Sequence, residues 1–503
     1  MHETSREAAL SQEEAKMTRQ SDSQSQKQTA AHVSASTIHS TRPVALLIPV
    51  LIATVIGQLM LMFRCPPSEL AQRMNLDSFG AMAMSSGFWI LLATLLVMIW
   101  KMVLVARYRP TPAPADADLP SLTVIVPAYN EGAQVLKTIE SILKSDYPAH
   151  LLQIVSIDDG SRDDTWHWIQ KGCDLDRARV IGVRFTKNRG KREGLYEGFR
   201  RARGEIVVTI DSDSEILPDT LRNLVAPLVA DPTVGGVGGN VRVLNERGLI
   251  ARMLDVWYTF SFEFMRASES QVGTVSCCPG ALSAYRRSLV DSFREEWVSQ
   301  TFMGQPAAIG EDRAITNLVL RRGYKVLFQS NAIVLTEVPT RYVQLCKMLL
   351  RWARSDVRES IVMARFLFTN FREGSLIGTR VNFFWSLLQM VLASLMFLPA
   401  VLTPFLAPAA IPVIAASLAA GAILPGGLYL CLRRSAKAVF AVPYMALAVF
   451  GISWITPYSF LTPHKSSWLT RTLPATAQAP VVQLPQPSLS GRLPKESGQQ
   501  LAA

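Results

Sequence analysis

The apolar residues of this chain are gathered into long unbroken blocks, and no other feature constrains its fold as strongly. Val44 to Phe63 (VALLIPVLIATVIGQLMLMF) runs without a charge for about twenty residues, the length a helix needs to cross a hydrocarbon core. Phe88 to Ala106 is a second block, whose one charge, Lys101, lies near its end, where a long side chain can snorkel to the interface. Further blocks follow at about Val381 to Phe405, Ala409 to Leu432 and Val439 to Phe460. About five membrane spans are therefore expected. The first starts too far along the chain to be a signal peptide, so it is expected to remain in the mature protein. Residues 1–42 are rich in Ser, Gln, Thr and Ala, and 473–503 in Pro, Gln and Ser; both are expected to be disordered tails, with too little apolar area to offset ordering.

A net charge of +11 is of the sign that nucleic acid attracts. Between Arg341 and Arg380, however, eight Lys or Arg stand against three Asp or Glu beside an apolar block. The positive-inside rule and anionic lipid account for that excess, so membrane lipids are the expected partner and nucleic acid is not. Six cysteines (Cys65, Cys173, Cys277, Cys278, Cys346, Cys431) show no CxxC spacing, and in a cytosolic block they are expected as free thiols.

Between the second and third blocks lie about 270 residues, enough for one α/β domain and a membrane-proximal segment. SLTVIVPAYN, LLQIVSIDDGS, RVIGVRF and EIVVTIDSDS read as strands, with helices between them near Ala133 to Leu143 and Lys191 to Arg203. Continuous apolar strands alternating with helices predict a parallel sheet covered on both faces. Ligands then bind beyond the carboxyl ends of the strands. That rule selects four loops: Tyr129 to Gly132, Asp158 to Asp164, Lys187 to Arg192 and Asp211 to Glu215. No GxGxxG follows the first strand, which sets aside a Rossmann reading.

Asp211 and Asp213 are placed to hold a divalent cation, Mg2+ or Mn2+, that shares its coordination with substrate phosphates. The basic cluster Lys187 to Glu193 would sit beside the same phosphates, although a solvated charge run reads the same way. Glu311 and Asp312 open a helix that ends at Gly323. Helix-dipole stabilisation alone could explain them. A displacement by a sugar hydroxyl also needs a proton acceptor, and with no grouped histidines Asp312 is the candidate base.

Taken in order, VIVPAYNE, IDDGSRDDT, NRGKRE, DSDS, GALSAYRR, GEDR and RW resemble the family 2 processive glycosyltransferases, in particular hyaluronan synthases and nodulation-type chitin-oligosaccharide synthases. The resemblance covers about Leu122 to Ser360. It implies an α/β GT-A-like cytosolic domain joined to an α-helical transmembrane region, a UDP-sugar donor and a growing polysaccharide acceptor. On matching positions it implies that Asp158 and Asp159 seat the uridine, that Lys191, Asp211 and Glu311 lie on the substrate side, and that Asp213 holds the metal. Asp312 would be the base, Arg351 would bind the leaving diphosphate, and Trp352 would stack under the acceptor sugar. Cys278 matches a cysteine that precedes the family's SGP segment, altered here to CCPGA.

The expected layout is a tail over 1–42, two transmembrane helices over 43–107, a GT-A domain over 118–340, amphipathic interfacial helices over 341–375, about three membrane segments over 381–460, and the motif WLTR with a second tail over 461–503. UDP-sugars are cytosolic, so the catalytic block of a multi-pass plasma-membrane protein would face inward. Arg107, Arg109, Arg433, Arg434 and Lys437, at block ends, agree with that orientation. Five full spans would leave WLTR outside, whereas the family's corresponding WGTR works beside the cytosolic site. A last segment broken near Pro443, Pro457 and Pro463 would return it.

Two other functions share much of this pattern: a non-processive transferase placing one sugar on a lipid-linked acceptor, and an inactive membrane scaffold. Arg351 and Trp352 favour the polymerase over the first, and the intact DSD and GEDR stand against the second. In CKMLLRWARSD the helical period puts Leu345, Met348, Leu349 and Trp352 on one face, with Lys347, Arg351 and Arg354 on or beside the polar side. The family motif is QxxRW, and Met348 stands where Gln belongs. A thioether cannot replace the amide's hydrogen bonds, which bears on processivity and product length.

Overall fold

Strand β1 (Leu122–Ala128) is buried along its whole length, as its unbroken apolar run requires. Burial of each large aliphatic side chain there contributes roughly 1.5–3 kcal/mol. The computed structural model describes residues 47–465, apart from 65, 67, 68, 70, 71, 73–77 and 246, together with 481–483. Both expected tails apart from 481–483, the WLTR motif and Cys65 lie outside the described residues. β2 (Leu152–Asp158), β3 (Val180–Phe185) and β4 (Ile206–Ile210) join β1 in the parallel order β3-β2-β1-β4.

The sheet then departs from the all-parallel expectation. β5 (Ser214–Ile216) is a short edge strand. β6 (Val234–Val243) and β7 (Leu282–Arg286) complete the centre, with β7 antiparallel to both β4 and β6. β8 (Thr301–Phe302) and β9 (Gln305–Pro306) form a separate small hairpin. β10 (Lys325–Thr336) runs parallel to β6 and antiparallel to β5, and β11 (Val481–Gln483) lies antiparallel to β3 at the far edge. Because β7 runs against β4, its first residue, Leu282, pairs with Ile210 at the carboxyl end of β4. The CCPGA loop before β7 is thereby carried to the ligand end of the sheet.

Among the described residues, three helices are long and apolar enough to cross a membrane: Ser85–Arg107, Ile377–Leu406 and Pro408–Arg433. The first expected span is an 18-residue helix, Leu47–Arg64, packed against Ser78–Arg107. The last apolar stretch is a helix pair, Ala436–Gly451 and Ile455–Leu461, bent by 42°. Lys101 does not snorkel: its side chain is buried, and Nζ donates to Asn382 Oδ1 at 2.7 Å. The helix continues to Arg107, so Lys101 lies inside it, and the neighbouring helix supplies the acceptor.

The membrane helices and the sheet are bound to each other. Tyr429 Oη donates to Asp255 Oδ2 at 2.6 Å. Arg433 and Arg242 both pair with Glu263, whose side chain is 12% exposed. The 26-residue helix Tyr342–Leu367, which carries Arg351 and Trp352, packs against both the helix Glu311–Arg321 and the helix Ile455–Leu461.

Candidate active site

The site forms where the loops after β4 and before β7 meet the helix Glu311–Arg321. Lys191 opens the helix Lys191–Arg201, and its ammonium lies 2.5 Å from Asp211 Oδ1 and 3.1 Å from Glu311 Oε1. Burial works against the charge of Lys191, but Asp211 and Glu311 outweigh it and hold the pKa above the ordinary lysine range. Gly280 allows the CCPGA loop to close over this pair: a Cβ there would stand 2.9 Å from Lys191 Nζ. Its N–H donates to Asp312 Oδ2 at 3.3 Å.

Glu311 and Asp312 are adjacent in sequence and driven apart in acidity. Burial opposes ionisation of Glu311, yet Lys191 and then Arg351 bring its pKa down to about 2. Burial and the Glu311 charge push Asp312 up, only partly opposed by Lys191. One member therefore stays an anion, and the other is the stronger base, as a proton acceptor requires. The turn is fixed by Gly310, at φ +69°, where a Cβ would overlap the Ser355 hydroxyl of the long helix. Arg313 pairs with Asp356 and donates to Ser360 Oγ at 3.0 Å on that same helix.

Asp213 is raised to about 6 by burial and by neighbouring Asp211, with Lys191 opposing. Two carboxylates that repel each other at a strand end suit a cation. Among the described residues, no group of three or more His, Cys, Asp or Glu is arranged to hold a metal. A cation held by Asp211 and Asp213 would therefore take its remaining ligands from phosphate oxygens and water.

Arg351 lies close enough to Glu311 and Tyr258 to affect the titration of both. The half-exposed Trp352 ring stands 6.5 Å from that of Tyr258. Tyr258 is a residue the sequence reading missed. Its phenol is pushed up by burial first and Asp213 next, with Arg351 opposing, so it lies near both of those charged groups. Thr316, also missed, holds the CCPGA loop by accepting from the Cys278 N–H at 3.0 Å. Its position one helical turn after Asp312 was a usable signal.

Cys278 is a buried free thiol, raised to about 12 by burial, so it packs rather than reacts. Asp158 and Asp159 stand together at the carboxyl end of β2, two strands from β4. Asp158 has no exposure; it accepts from the Ser161 N–H at 2.8 Å and pairs with Arg184 at 3.1 Å. Asp159 accepts from the Arg189 and Gly190 N–H groups at 2.7 and 2.8 Å, tying its loop to NRGKRE. Arg354, expected on or beside the polar side of its helix, is buried and donates to Thr462 Oγ1 at 3.0 Å. A partner in the bent carboxyl-terminal helices, distant in sequence, overrides the local helical pattern.

A family model described as "Glycosyltransferase like family 2" matches residues 120–355. An N-acetylglucosaminyltransferase of Rhizobium sp. (strain N33) is 31% identical over 379 residues, covering 73% of this chain and 82% of that protein. The chain belongs to glycosyltransferase family 2. A hyaluronan synthase of Streptococcus pyogenes is 33% identical to this glycosyltransferase over 256 residues, or 50% of the chain and 60% of that protein. The matched stretches span between 60% and 88% of the curated relatives' lengths. Among solved structures, the mannosyltransferase PcManGT from Pyrobaculum calidifontis, in complex with GDP-Man and Mn2+, is 25% identical with a TM-score of 0.48, covering 74% of this chain and 93% of that one. The mixed sheet with its acidic strand-end loops is the GT-A-like arrangement expected of the family.

Proposed function

We propose that this enzyme is a processive, inverting polymerase of the plasma membrane. It uses cytosolic UDP-N-acetylglucosamine, alone or with UDP-glucuronic acid, to build a β-linked polysaccharide such as chitin or hyaluronan and pass it through its own membrane segments. The observation that carries this reading is the meeting of two sets of groups. Lys191, Asp211, Asp213, Glu311 and Asp312 converge at the sheet end, and Arg351 and Trp352 approach them from a helix bonded to the same turn. Relatives named N-acetylglucosaminyltransferase and hyaluronan synthase support the sugar class.

In this mechanism Asp312 takes the proton of the acceptor hydroxyl as that oxygen bonds to the anomeric carbon. The bond from that carbon to the diphosphate oxygen breaks, and UDP leaves with its electron pair. A single displacement inverts the configuration and needs no covalent enzyme intermediate. Lys191 and Arg351 offset the charge of the leaving diphosphate, while Trp352 and Tyr258 give the acceptor sugar an aromatic surface. A divalent cation held by Asp211 and Asp213 would add further charge stabilisation to the leaving group.

Purified protein given labelled UDP-sugars singly and in pairs, with sizing of the products, tests the proposal. Polymer from N-acetylglucosamine alone indicates a chitin-like product, and a requirement for both sugars indicates hyaluronan. Transfer of a single sugar to a lipid would refute the polymerase. Asp312→Asn should lower UDP release by roughly 10²–10⁴-fold while donor binding persists; near-normal turnover would eliminate this base.

A further inference from the structure

Behind the reacting groups lies a buried polar network that the mechanism above does not use. Arg192 follows Lys191, but its side chain turns inward. Nη1 donates to the Trp297 carbonyl at 2.6 Å and to Gln300 Oε1 at 3.0 Å, and the guanidinium lies over the Trp297 ring, 5.2 Å from its centroid. The Trp297 indole N–H donates to the main-chain carbonyl of Glu311 at 3.0 Å. Gln300 Nε2 continues the path to Glu359 Oε1 at 3.3 Å, on the helix that carries Arg351 and Trp352. Glu359 is closed off by Arg358 Nε and Asn317 Nδ2, each at 3.0 Å.

Trp297 and Glu359 have no exposure, and Arg192 is buried. Ionic groups this deep contribute little net stability compared with well-packed apolar residues. What they can supply is registry, because hydrogen bonds fix direction where apolar contact does not. The three segments so joined carry Lys191, Asp312 and Arg351.

We infer that Arg192, Trp297, Gln300 and Glu359 are positioning residues that hold the Glu311–Asp312 turn in register with Lys191 on one side and Arg351 on the other. The inference rests on the reading of Asp312 as the base.

Two variants of the full-length protein test it. Trp297→Phe keeps an aromatic ring near Arg192 and removes the N–H that binds Glu311. Gln300→Met is close in shape and cuts the link between Arg192 and Glu359. With the UDP-sugar that supports turnover, each should lower kcat about tenfold, the scale of one buried hydrogen bond left unmade, with the donor KM within about threefold of wild type. The acid limb of the kcat profile should move to lower pH. A loosened turn admits water to Asp312 and separates it from Glu311, and burial and Glu311 are what raise the Asp312 pKa.

A folded variant with wild-type kcat and an unmoved limb would show that the network is only a brace, and would overturn the inference. If Trp297→Phe does not fold, Gln300→Met, at a half-buried position, decides. Wild-type turnover by Asp312→Asn would remove the base assignment and this inference together. An inactive Asp312→Asn beside an unaffected Gln300→Met would remove the positioning role alone.

Discussion

Lys191→Met removes a cation set among carboxylates, and the direction of its effects follows from the site. The ammonium touches Asp211 and Glu311 and also opposes the upward pKa shifts of Asp213 and Asp312. Its own pKa stays above the ordinary lysine range, so the charge, and the stabilisation it gives, persist across neutral pH and are lost only at strongly alkaline pH. Deleting one partner of a buried pair costs roughly 3–5 kcal/mol when the other charge stays ionised. If about 3 kcal/mol of that reaches the transition state, kcat/KM falls by roughly 10²-fold. The carboxylates can escape part of the cost by taking up protons. For Asp312, burial and Glu311 already favour the protonated form, and without Lys191 that form persists to higher pH. The acid limb of kcat/KM should therefore move up, opposite to the shift expected for Gln300→Met. UDP release followed across the acid and neutral range until the acid limb is complete gives the measurement. A limb at its wild-type position, whatever the fall in rate, would refute the electrostatic reasoning.

Three further predictions concern the metal, the turn and the acceptor helix. Chelation should abolish turnover and Mn2+ or Mg2+ restore it; because Asp213 must ionise to bind a cation and is raised to about 6, the Mn2+ concentration for half-maximal rate should rise as pH falls through that value. A metal requirement flat across that range would contradict the assignment. Gly310→Ala forces a Cβ into the Ser355 hydroxyl at a positive φ, so it should lower the melting temperature and the rate together, and Gly310→Ala with Ser355→Gly should recover part of both; additive losses would show that the two residues do not meet. Met348→Gln restores the family's amide and should change product length, with unchanged product size showing that this position does not set it.

The sequence was most informative where the decisive forces are local. Unbroken apolar strands and acidic strand ends identify β1 to β4 and the loops that hold Asp211, Asp213 and Lys191. The direction of β7 carries no such signature, because an apolar strand reads alike in either orientation. It is this reversal that delivers the CCPGA loop and Gly280 to Lys191 and Asp312. Tyr258 was hidden for a related reason: within the helix Leu249–Thr259 it looks like one more core aromatic, and only the approach of Asp213 and Arg351 gives its phenol a role.

The helix Tyr342–Leu367 shows how a helical period can be correct and still mislead. Dividing its residues into apolar and polar faces assumes that a charged side chain seeks water. Arg354 and Glu359 do not, because Thr462 meets the first, and Asn317 and Gln300 meet the second, in the interior. Burying a charge is tolerable only where such partners exist, and all three come from segments distant in the chain. Amphipathicity records the cost of exposing carbon to water, and it is blind to partners of this kind. A helix that only rested on a membrane would have no need of Glu359. Under the mechanism proposed above, one that holds Arg351 near Glu311 does, and the polar residues that look redundant on a helical wheel are those that fix the helix to the Glu311–Asp312 turn.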